Sequence, residues 1–511
     1  NLLKEANKKA KKKHRKGGSV LISYLRDNKN YRIKNIKCKI SGPFRKTRLT
    51  IDEKVDLELI KKIFKKFSPN LFFGLKETAA LFKKDKNFFK LNSHLKLNEG
   101  SSLDKSQKIW RRANGVILGG NSLLSKNPNL FLPNKWPTYF SKAKGCAIWD
   151  LNKNKYIDMS LMGVGTNILG YCNNEVDRAV KKAINKSVVS SLNCVEEVYL
   201  AEKLLSLNKW ADKVKFTRTG GEANALAIRI ARAASKKDKV AFCGYHGWHD
   251  WYLAANIESK KALNNHLMKG LNPIGVPSKL KSTIFPFEYN DFEELKKLVK
   301  KNNIGIIKME VARSFESPSF LRKIRKLCNQ KNILLIFDEC TSGFRETFGG
   351  LHLKYKINPD IAVYGKALGN GYAITSVVGK SEIMKKSSNS FISSTFWTER
   401  IGPAAALKTL EIMEKKRSWE KITTIGKYLR FEIKKLIKKN NLKIELTGIT
   451  PIIRFKFNYK NPEVYKTYLA QEFLKEKILT TDLIFVSITH SKGNLKKYLS
   501  ILSKILKKIK I

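Results

Sequence analysis

Residues 333–374 constrain the fold of this chain more than any other stretch, because they contain two short apolar segments that each lead to a reactive side chain. The segments Ile333–Phe337 and Ile361–Tyr364 are too short for helices and rich in branched and aromatic residues, so they predict buried strands. Asp338 follows the first strand and Lys366 the second. The intervening residues can form a crossover connection, which favours parallel pairing. The stretch predicts an α/β fold with a mainly parallel central sheet.

The side chains at the ends of these strands indicate a cofactor. Ligands of an open parallel sheet bind at the carboxyl ends of its strands, where Asp338 and Lys366 are expected to lie. Pyridoxal phosphate requires this pair: a carboxylate keeps its pyridine nitrogen protonated, and an amine forms a Schiff base with it and later moves a proton. A single lysine or aspartate is better explained as a solvated residue or a helix cap, but the combination favours the cofactor.

A second part of the predicted site is the turn Thr219-Gly220-Gly221, which follows the strand Val214–Phe216 and opens the helix Glu222–Ala234. Free backbone N–H groups and the positive end of the helix dipole can hold a phosphate there. A Gly-Gly turn alone is usually only a turn.

The next predicted strand, Val240–Cys243, delivers Tyr245 and His246 to the same edge of the sheet, where a flat ring can be stacked. His246 and His249 could instead be read as metal ligands. No Cys or acidic partner at ligand spacing accompanies them, so the sequence predicts no metal. Farther along, the loop Ser393–Gly402 offers hydroxyl groups for a phosphate, among them that of Thr395.

Charge and cysteine content restrict the alternatives. The chain has 511 residues and a formal net charge of +58, which raises the question of nucleic-acid binding. The lysines are spread over the whole length rather than arranged in basic and aromatic stripes, so we predict neither a nucleic-acid nor a membrane partner. Seven scattered cysteines without a CxxC pair fit free thiols in the cytoplasm. Because the chain begins with Asn1 and not Met, upstream sequence is expected to be missing.

Five motifs extend this pattern over most of the chain: TGGEANALAIRIARA, GYHGWHD, FDECTSGFR, YGKALGNG and SSTFWTERIGPAAA. In this order and approximate spacing they resemble the class III, fold type I aminotransferases, and within these the glutamate-1-semialdehyde 2,1-aminomutase branch. The resemblance implies pyridoxal 5'-phosphate as the cofactor, a large domain with a smaller α+β domain after it, and a homodimer with shared active sites.

The resemblance also assigns roles to single residues. Lys366 matches the lysine of the Schiff base, Asp338 the partner of the pyridine nitrogen, and Tyr245 the aromatic residue on the ring. Cys340 stands where the family has Val or Ile on the other ring face, and Thr395 matches a threonine that reaches the phosphate of the neighbouring subunit. Thr219, Gly220 and Gly221 match the phosphate turn, which in the family is usually Ser-Gly-Thr.

One departure concerns the substrate. Aminomutases of this branch carry a GGVNSPVR stretch whose arginine meets the substrate carboxylate. Residues 119–128 here read GGNSLLSKNP, with Leu123 and Leu124 near that position. Without a bidentate arginine a strong charge-assisted contact is lost, so the aminomutase substrate is not expected.

The first residues carry a different resemblance. Arg48, Thr50, Ile51, Asp52, Asp56 and Ile60 lie in RLTIDEKVDLELI, which resembles the carboxy-terminal end of spore-coat-polysaccharide and acylneuraminate cytidylyltransferases. The glycine-rich nucleotide loop of such enzymes is absent, so this segment is expected to be an inert remnant.

The predicted domains are a cytidylyltransferase-like remnant over 1–66, a linker over 67–107, a cofactor-binding domain over 108–414 and a small domain over 415–511. Residues 108–160 are expected to pack toward the small domain. The predicted function is transamination between an amine donor and a keto or aldehyde acceptor, such as a keto-sugar or glycan precursor. Intramolecular amino transfer remains an alternative, as does a non-catalytic cofactor-fold or basic nucleic-acid-binding protein.

Overall fold

The computed structural model describes residue 40 and residues 42–51, 54–93 and 105–509. The chain divides into two compact units, Asn1–Val116 and Ile117–Ile511. The sequence also predicts a basic helix over Leu2–Lys16 and extended segments over Ser19–Leu25 and Tyr31–Ile40. These predictions lie outside the described residues, apart from Ile40 itself.

The described residues of the first unit form the helices α1 (Lys54–Phe67), α2 (Leu75–Lys84) and α3 (Lys105–Val116). Leu59 and Ile63 of α1 are buried against aromatic residues from the neighbouring segments, including Phe44 and Phe89. Apolar residues recur at helical spacing in this part of the sequence, which predicts an amphipathic helix, and α1 is that helix. Residues 67–93, which the sequence predicts to be linker, contain α2 and the buried Phe89, so part of this segment belongs to the same small core.

A buried ion pair explains two residues of the cytidylyltransferase-like motif. The Arg48 guanidinium donates to both carboxylate oxygens of Asp56, at 3.0 Å from Nε and 2.9 Å from Nη2. The Asn92 side-chain amide donates to Asp56 Oδ1 at 2.8 Å and to the Arg48 carbonyl at 3.0 Å. These contacts tie the beginning of α1 to the segments on both sides of it. In this chain the motif residues therefore stabilise a local fold.

The second unit contains three sheets. Their strands are, in chain order, β1 (Phe140–Lys144), β2 (Ala147–Asp150), β3 (Lys155–Asp158), β4 (Lys213–Thr217), β5 (Val240–Cys243), β6 (Ile284–Pro286), β7 (Ile306–Glu310), β8 (Leu334–Asp338), β9 (Ile361–Tyr364), β10 (Thr375–Gly379), β11 (Ile444–Thr447), β12 (Ile452–Phe457), β13 (Ile478–Leu479) and β14 (Leu483–Phe485).

The central sheet has seven strands in the order β4-β10-β9-β8-β7-β5-β6. Strands β6, β5, β7, β8 and β9 pair in parallel, whereas β10 is antiparallel to both β4 and β9. The predicted parallel pairing of the strands before Asp338 and Lys366 is confirmed, with Asp338 opposite Val363 in the register. The carboxyl ends of β5, β7, β8 and β9 consequently lie at one edge.

Helices cover both faces of this sheet. Those of ten residues or more in the second unit are α4 (Asn174–Ile184), α5 (Val195–Leu207), α6 (Gly220–Ser235), α7 (Phe292–Lys301), α8 (Pro318–Lys331), α9 (Ile401–Lys416), α10 (Ser418–Lys439), α11 (Pro462–Lys475) and α12 (Lys492–Leu506). Helix α6 packs one face together with Ile306 and Ile336, while α7 and α8 pack the other with Ile307 and Phe337. The parallel strands are thus buried on both sides, as their unbroken apolar sequences predict.

The C-terminal part combines α10 to α12 with the sheet β11-β12-β14. Turn residues between two short apolar segments at 147–150 and 156–158 predict a hairpin, and β2 and β3 do pair antiparallel. Strand β13 adds to them in parallel, with Ile478 opposite Ile157. The sequence missed β13, because two residues are too few for an alternating pattern. Among the residues that the structure describes, no helix is both long and apolar enough to cross a bilayer.

Removal of one partner of the Arg48–Asp56 pair should destabilise the first unit. Arg48→Met leaves a buried carboxylate without its main charge partner, which typically costs about 3–5 kcal/mol. We expect faster backbone hydrogen exchange in α1, measured on the full chain by mass spectrometry. Lys61→Met, an exposed change in the same helix, is the control. Equal exchange in the two variants would contradict a stabilising role of the pair.

Candidate cofactor site

Asp338 and His246 form the buried base of the site. Asp338 ends β8 and His246 follows β5, and their side chains are 3% and 0% exposed. His246 Nδ1 lies 2.8 Å from Asp338 Oδ2 and Nε2 lies 3.2 Å from the Cys243 carbonyl, so the shorter contact assigns the ring proton to Nδ1. The backbone N–H of Cys340 donates to Asp338 Oδ1 at 3.0 Å.

These contacts decide the charge of the pair. Burial alone would raise the pKa of Asp338, but the hydrogen bond from His246 and the nearby charge of Lys308 outweigh it and hold that pKa well below its usual range. Burial lowers the pKa of His246, against the pull of Asp338. The pair is therefore a carboxylate next to a neutral imidazole.

Lys366 lies at the neighbouring strand end, two residues after β9. Its backbone φ is +39°, in the left-handed region, and it opens a short turn over Lys366–Gly369. Its Nζ donates to the Thr341 hydroxyl at 2.5 Å. Burial lowers the pKa of Lys366, which increases the neutral fraction of an amine that must attack a carbonyl carbon.

Cys340 lies between the lysine turn and the predicted phosphate turn. Its Sγ would be 3.3 Å from a Cβ at residue 365 and 3.6 Å from a Cβ at residue 220, so glycine at both positions keeps the thiol in contact with both segments. Burial raises the pKa of Cys340 well above the ordinary value, and the group is an uncharged thiol. Such a side chain packs like a small apolar residue.

The predicted phosphate turn begins α6. Thr219 is its N-cap: its hydroxyl accepts from the Glu222 N–H at 3.4 Å and its backbone N–H donates to Glu222 Oε2 at 2.8 Å, which together form a capping box. The hydroxyl also donates to Glu222 Oε2 at 3.0 Å. The first N–H groups of a helix, here those of Gly220 and Gly221, have no carbonyl partner within that helix. Those two groups are available to an anion, while the Thr219 hydroxyl is already engaged.

Two glycines set the position of this turn. Gly247 has φ +102°, and a Cβ there would lie 2.8 Å from the Gly221 Cα. No side chain fits that gap, so the two backbones touch. A Cβ on Gly221 would in turn lie 3.0 Å from the His249 ring. The GYHGWHD motif thus packs against the phosphate turn. Among the described residues, no group of three or more His, Cys, Asp or Glu side chains is placed to hold a metal.

Tyr245 lies at the opening of the site and is 43% exposed. Its backbone N–H donates to Glu310 Oε2 at 3.2 Å, and the same oxygen accepts from Arg313 at 2.6 Å. Glu310 ends β7 beside Asp338 in the register. The Glu310 side chain thus anchors the segment that carries Tyr245.

The loop before α9 is held next to the phosphate turn of the same chain. Arg218 Nη2 donates to the carbonyls of Trp397 and Glu399 at 2.8 Å each. The Trp397 indole donates to Glu222 at 3.2 Å. Thr395, at the start of this loop's short 3₁₀ turn, is exposed.

The residues present fit pyridoxal phosphate. The buried carboxylate of Asp338 suits a protonated ring nitrogen, the buried amine of Lys366 suits an aldehyde, and the α6 N–H groups suit a phosphate. Residues 220, 221 and 365 are glycines, so they place no side chains among these three features.

Sequence reasoning missed two side chains of this site. The Thr341 hydroxyl accepts a hydrogen bond from the Lys366 amine. Its place in the motif FDECTSGFR was the available signal. Lys308 is fully buried within β7. A lysine flanked by Ile307 and Met309 in an apolar strand was the available signal.

Comparisons with known proteins agree with this geometry. Residues 133–483 match the family described as Aminotransferase class-III. A 3-aminobutyryl-CoA aminotransferase from Cloacimonas acidaminovorans is 34% identical over 371 residues, which cover 70% of this chain and 85% of that protein. A glutamate-1-semialdehyde 2,1-aminomutase from Methanocaldococcus jannaschii is 30% identical over 388 residues, covering 73% and 88%.

Among solved structures, the FumI protein of Sphingopyxis sp. MTA144, in its pyridoxal phosphate form, superimposes with a TM-score of 0.70. The match covers 78% of this chain and 95% of that chain, at 24% sequence identity. An ω-transaminase from Sphaerobacter thermophilus gives a TM-score of 0.70 at 18% identity, over 80% and 98%. These likenesses confirm the fold type I architecture.

The contact between Gly247 and Gly221 generates a prediction. In Gly247→Ala the methyl group displaces the phosphate turn, and we expect roughly 10- to 100-fold weaker pyridoxal phosphate binding, because a shift of about 1 Å is costly in a preorganised site. Absorbance titration of the cofactor measures the affinity.

Gly275→Ala is the matched control, since Gly275 also has a positive φ, +86°, but a Cβ there meets nothing within 4 Å. Both substitutions carry the same kind of backbone strain. Equal losses of affinity in the two variants would mean that strain, and not the displaced turn, is responsible.

Proposed function

This chain belongs to the class-III aminotransferase family and is a pyridoxal phosphate-dependent enzyme, and we propose that Lys366 and Asp338 carry out its chemistry. The observation that carries the proposal is that a buried carboxylate and a half-buried lysine lie at the ends of adjacent parallel strands, β8 and β9. The family's substrates are small amines and keto compounds, and its reaction moves an amino group between them.

When bound, pyridoxal phosphate supplies a carbonyl that condenses with amines and a ring that withdraws electrons. The protein's own groups do the rest. Asp338 holds a proton on the ring nitrogen, and His246 fixes the carboxylate in place. The Lys366 amine would be the base that removes a proton from the substrate carbon bearing the amino group, and its ammonium form would be the acid that gives that proton back. The Thr341 hydroxyl steadies Lys366 Nζ between these steps.

The proposed phosphate ligands are the N–H groups of Gly220 and Gly221, with Thr219 shaping the turn through its cap. Tyr245 and Cys340 are proposed to cover the two faces of the ring. Cys340 suits this place because it is an uncharged thiol in contact with the phosphate and lysine segments.

The reaction is proposed to run between two substrates. Residues 119–128 contain no arginine, and Leu123 and Leu124 are 43% and 51% exposed at the position where the aminomutase branch binds a carboxylate. Arg345 does not replace that contact, because its Nε donates to the Thr341 carbonyl at 2.6 Å and its Nη2 to the Gly165 carbonyl at 2.5 Å. The proposed acceptor is therefore a ketone or aldehyde recognised without a carboxylate clamp, such as a keto-sugar.

The experiment is a half-reaction. Purified protein loaded with pyridoxal phosphate should lose its visible absorbance when an amine donor is added. Lys366→Ala should slow this step by about 10⁴-fold or more, since it removes the group that moves the proton. Lys385→Ala, which removes an exposed lysine, is the control.

Bleaching of Lys366→Ala at the wild-type rate would refute the assignment of Lys366. A panel of acceptors then tests the substrate class, because turnover with simple keto acids and none with keto-sugars would rule out the sugar proposal.

A homodimer with shared sites is also proposed. Arg400 donates to Glu196 at 3.0 Å and to the Lys186 carbonyl at 3.1 Å, which places the loop before α9 beside the segment before α5. Large apolar side chains are exposed on these two adjoining segments, namely Leu192, Val195, Val198, Tyr199, Phe391 and Phe396. An apolar surface of this kind supports a protein interface. Thr395 lies within it and is proposed to reach the partner's phosphate.

Complementation tests the shared site. Thr395→Val alone should bind the cofactor about tenfold more weakly, because a hydrogen bond to a charged group is lost. Co-expressed with Lys366→Ala, it should form mixed dimers that contain one intact site. At a pyridoxal phosphate concentration low enough to leave the Thr395→Val homodimer mostly unloaded, transaminase activity of the isolated mixed dimer should clearly exceed that of either variant. No gain over the separate variants would contradict shared sites, and sedimentation of a monomer would contradict the dimer.

A further inference from the structure

Lys308 is a buried charge that the reaction described above does not use. It lies in the middle of β7, its side chain is 0% exposed, and its Nζ has no hydrogen-bond partner among the described residues. Burial of an ammonium group without hydrogen bonds is costly unless an opposite charge is close. A lysine at this position therefore calls for a nearby anion.

The strand register identifies that anion. Lys308 is opposite Ile336 and Glu310 is opposite Asp338, in neighbouring parallel strands. Because side chains alternate along a strand, Lys308, Ile336 and Asp338 are on the same face of the sheet. A lysine stem is long enough to extend diagonally from residue 308 toward the carboxylate at the strand end. On the other side, Phe242 of β5 is opposite Lys308 and offers no charge.

The groups around Lys308 leave it as the positive partner of Asp338. His246 is neutral and donates one hydrogen bond, and Cys340 is an uncharged thiol. Burial lowers the pKa of Lys308 to about 8 while the charge of Asp338 acts to raise it, so the amine is mostly protonated at neutral pH. Glu310, on the same strand, is already paired with Arg313 at 2.6 Å.

We propose that Lys308 is a positioning residue that acts through Asp338: its buried ammonium balances the carboxylate beneath the cofactor ring and keeps it ionised. This inference rests on the proposed role of Asp338. A carboxylate that lost its charge would offer the ring nitrogen a proton instead of accepting one, and the ring would withdraw electrons poorly. Lys308 is buried below the carboxylate and does not itself touch the reacting atoms.

A double-mutant cycle on the cofactor-free protein tests the coupling. Asp338→Asn leaves an unbalanced ammonium in the wild-type background, but removes an unbalanced carboxylate in the Lys308→Met background. We expect the first change to lower the thermal midpoint by about 5 °C more than the second. The same cycle with Lys301→Met, which removes an exposed lysine, is the control and should show no coupling.

Equal effects of Asp338→Asn in both backgrounds would overturn the proposal. Should Lys308→Met fail to fold, the double variant still decides: recovery of a folded protein supports the charge balance, and continued failure to fold overturns it.

A second measurement uses the visible absorbance of the cofactor-loaded protein as a function of pH. Removal of a nearby cation favours the protonated form of the bound cofactor and so raises its pKa. Lys308→Met should therefore raise the pH midpoint of the colour change by about one pH unit. Lys301→Met should leave it unchanged. An unchanged midpoint in Lys308→Met would overturn the proposal.

The two failures are distinguishable. If the wild-type protein binds no pyridoxal phosphate, the proposed function fails, while the cycle on the cofactor-free protein still reports on Lys308. If the wild-type protein is coloured and bleaches with a donor amine, but the cycle shows no coupling, only the inference about Lys308 fails.

Discussion

The structure of the site depends on one constraint, which is that a carboxylate must remain ionised inside a protein core. Asp338 is 3% exposed, and an unpaired anion at such a position would take up a proton instead. Three kinds of group prevent this: the His246 ring, the Cys340 backbone N–H and the charge of Lys308. His246 follows β5, Lys308 lies in the middle of β7 and the Cys340 N–H follows β8, so the parallel arrangement of these three strands brings the groups together around the carboxylate.

The same edge accounts for the reactivity of Lys366. Burial disfavours its charged form, and the Thr341 hydroxyl receives its hydrogen bond without supplying a charge that would restore the ammonium. The site therefore holds one buried acid that stays deprotonated and one buried amine that loses its proton easily. Desolvation acts on both groups, but the donors and the cation around Asp338 outweigh it, whereas at Lys366 it outweighs the pull of the nearby carboxylates.

Much of this arrangement could be predicted from the sequence. The strands before Asp338 and Lys366 are short and wholly apolar, the turn before α6 has two glycines, and the order of the motifs is specific to a family. Lys308 escaped prediction because a lysine in a chain with so many lysines is expected on the surface, and its burial depends on a neighbour 30 residues away in the sequence. The contact of Gly247 with Gly221 is likewise a property of packing, since neither glycine is unusual in its own turn. The Arg48–Asp56 ion pair could not be predicted from the sequence either, because the motif indicated a family resemblance and not a contact between these two side chains.

Strand β10 lies between β4, which leads to the phosphate turn, and β9, which leads to Lys366, and it is hydrogen-bonded to both. The Thr375 hydroxyl of β10 lies 2.5 Å from that of Thr217 in β4, so one of them donates to the other, and both oxygens lie within hydrogen-bond distance of the Thr219 carbonyl, at 3.2 and 3.3 Å. The phosphate turn and the Lys366 turn, which would hold the two ends of a bound cofactor, thus follow strands that are both hydrogen-bonded to β10. Substrate preference can change through substitutions in surface loops such as residues 119–128, while the distance between the phosphate turn and Lys366 stays the same. One fold can in this way act on many amines while its cofactor site is kept.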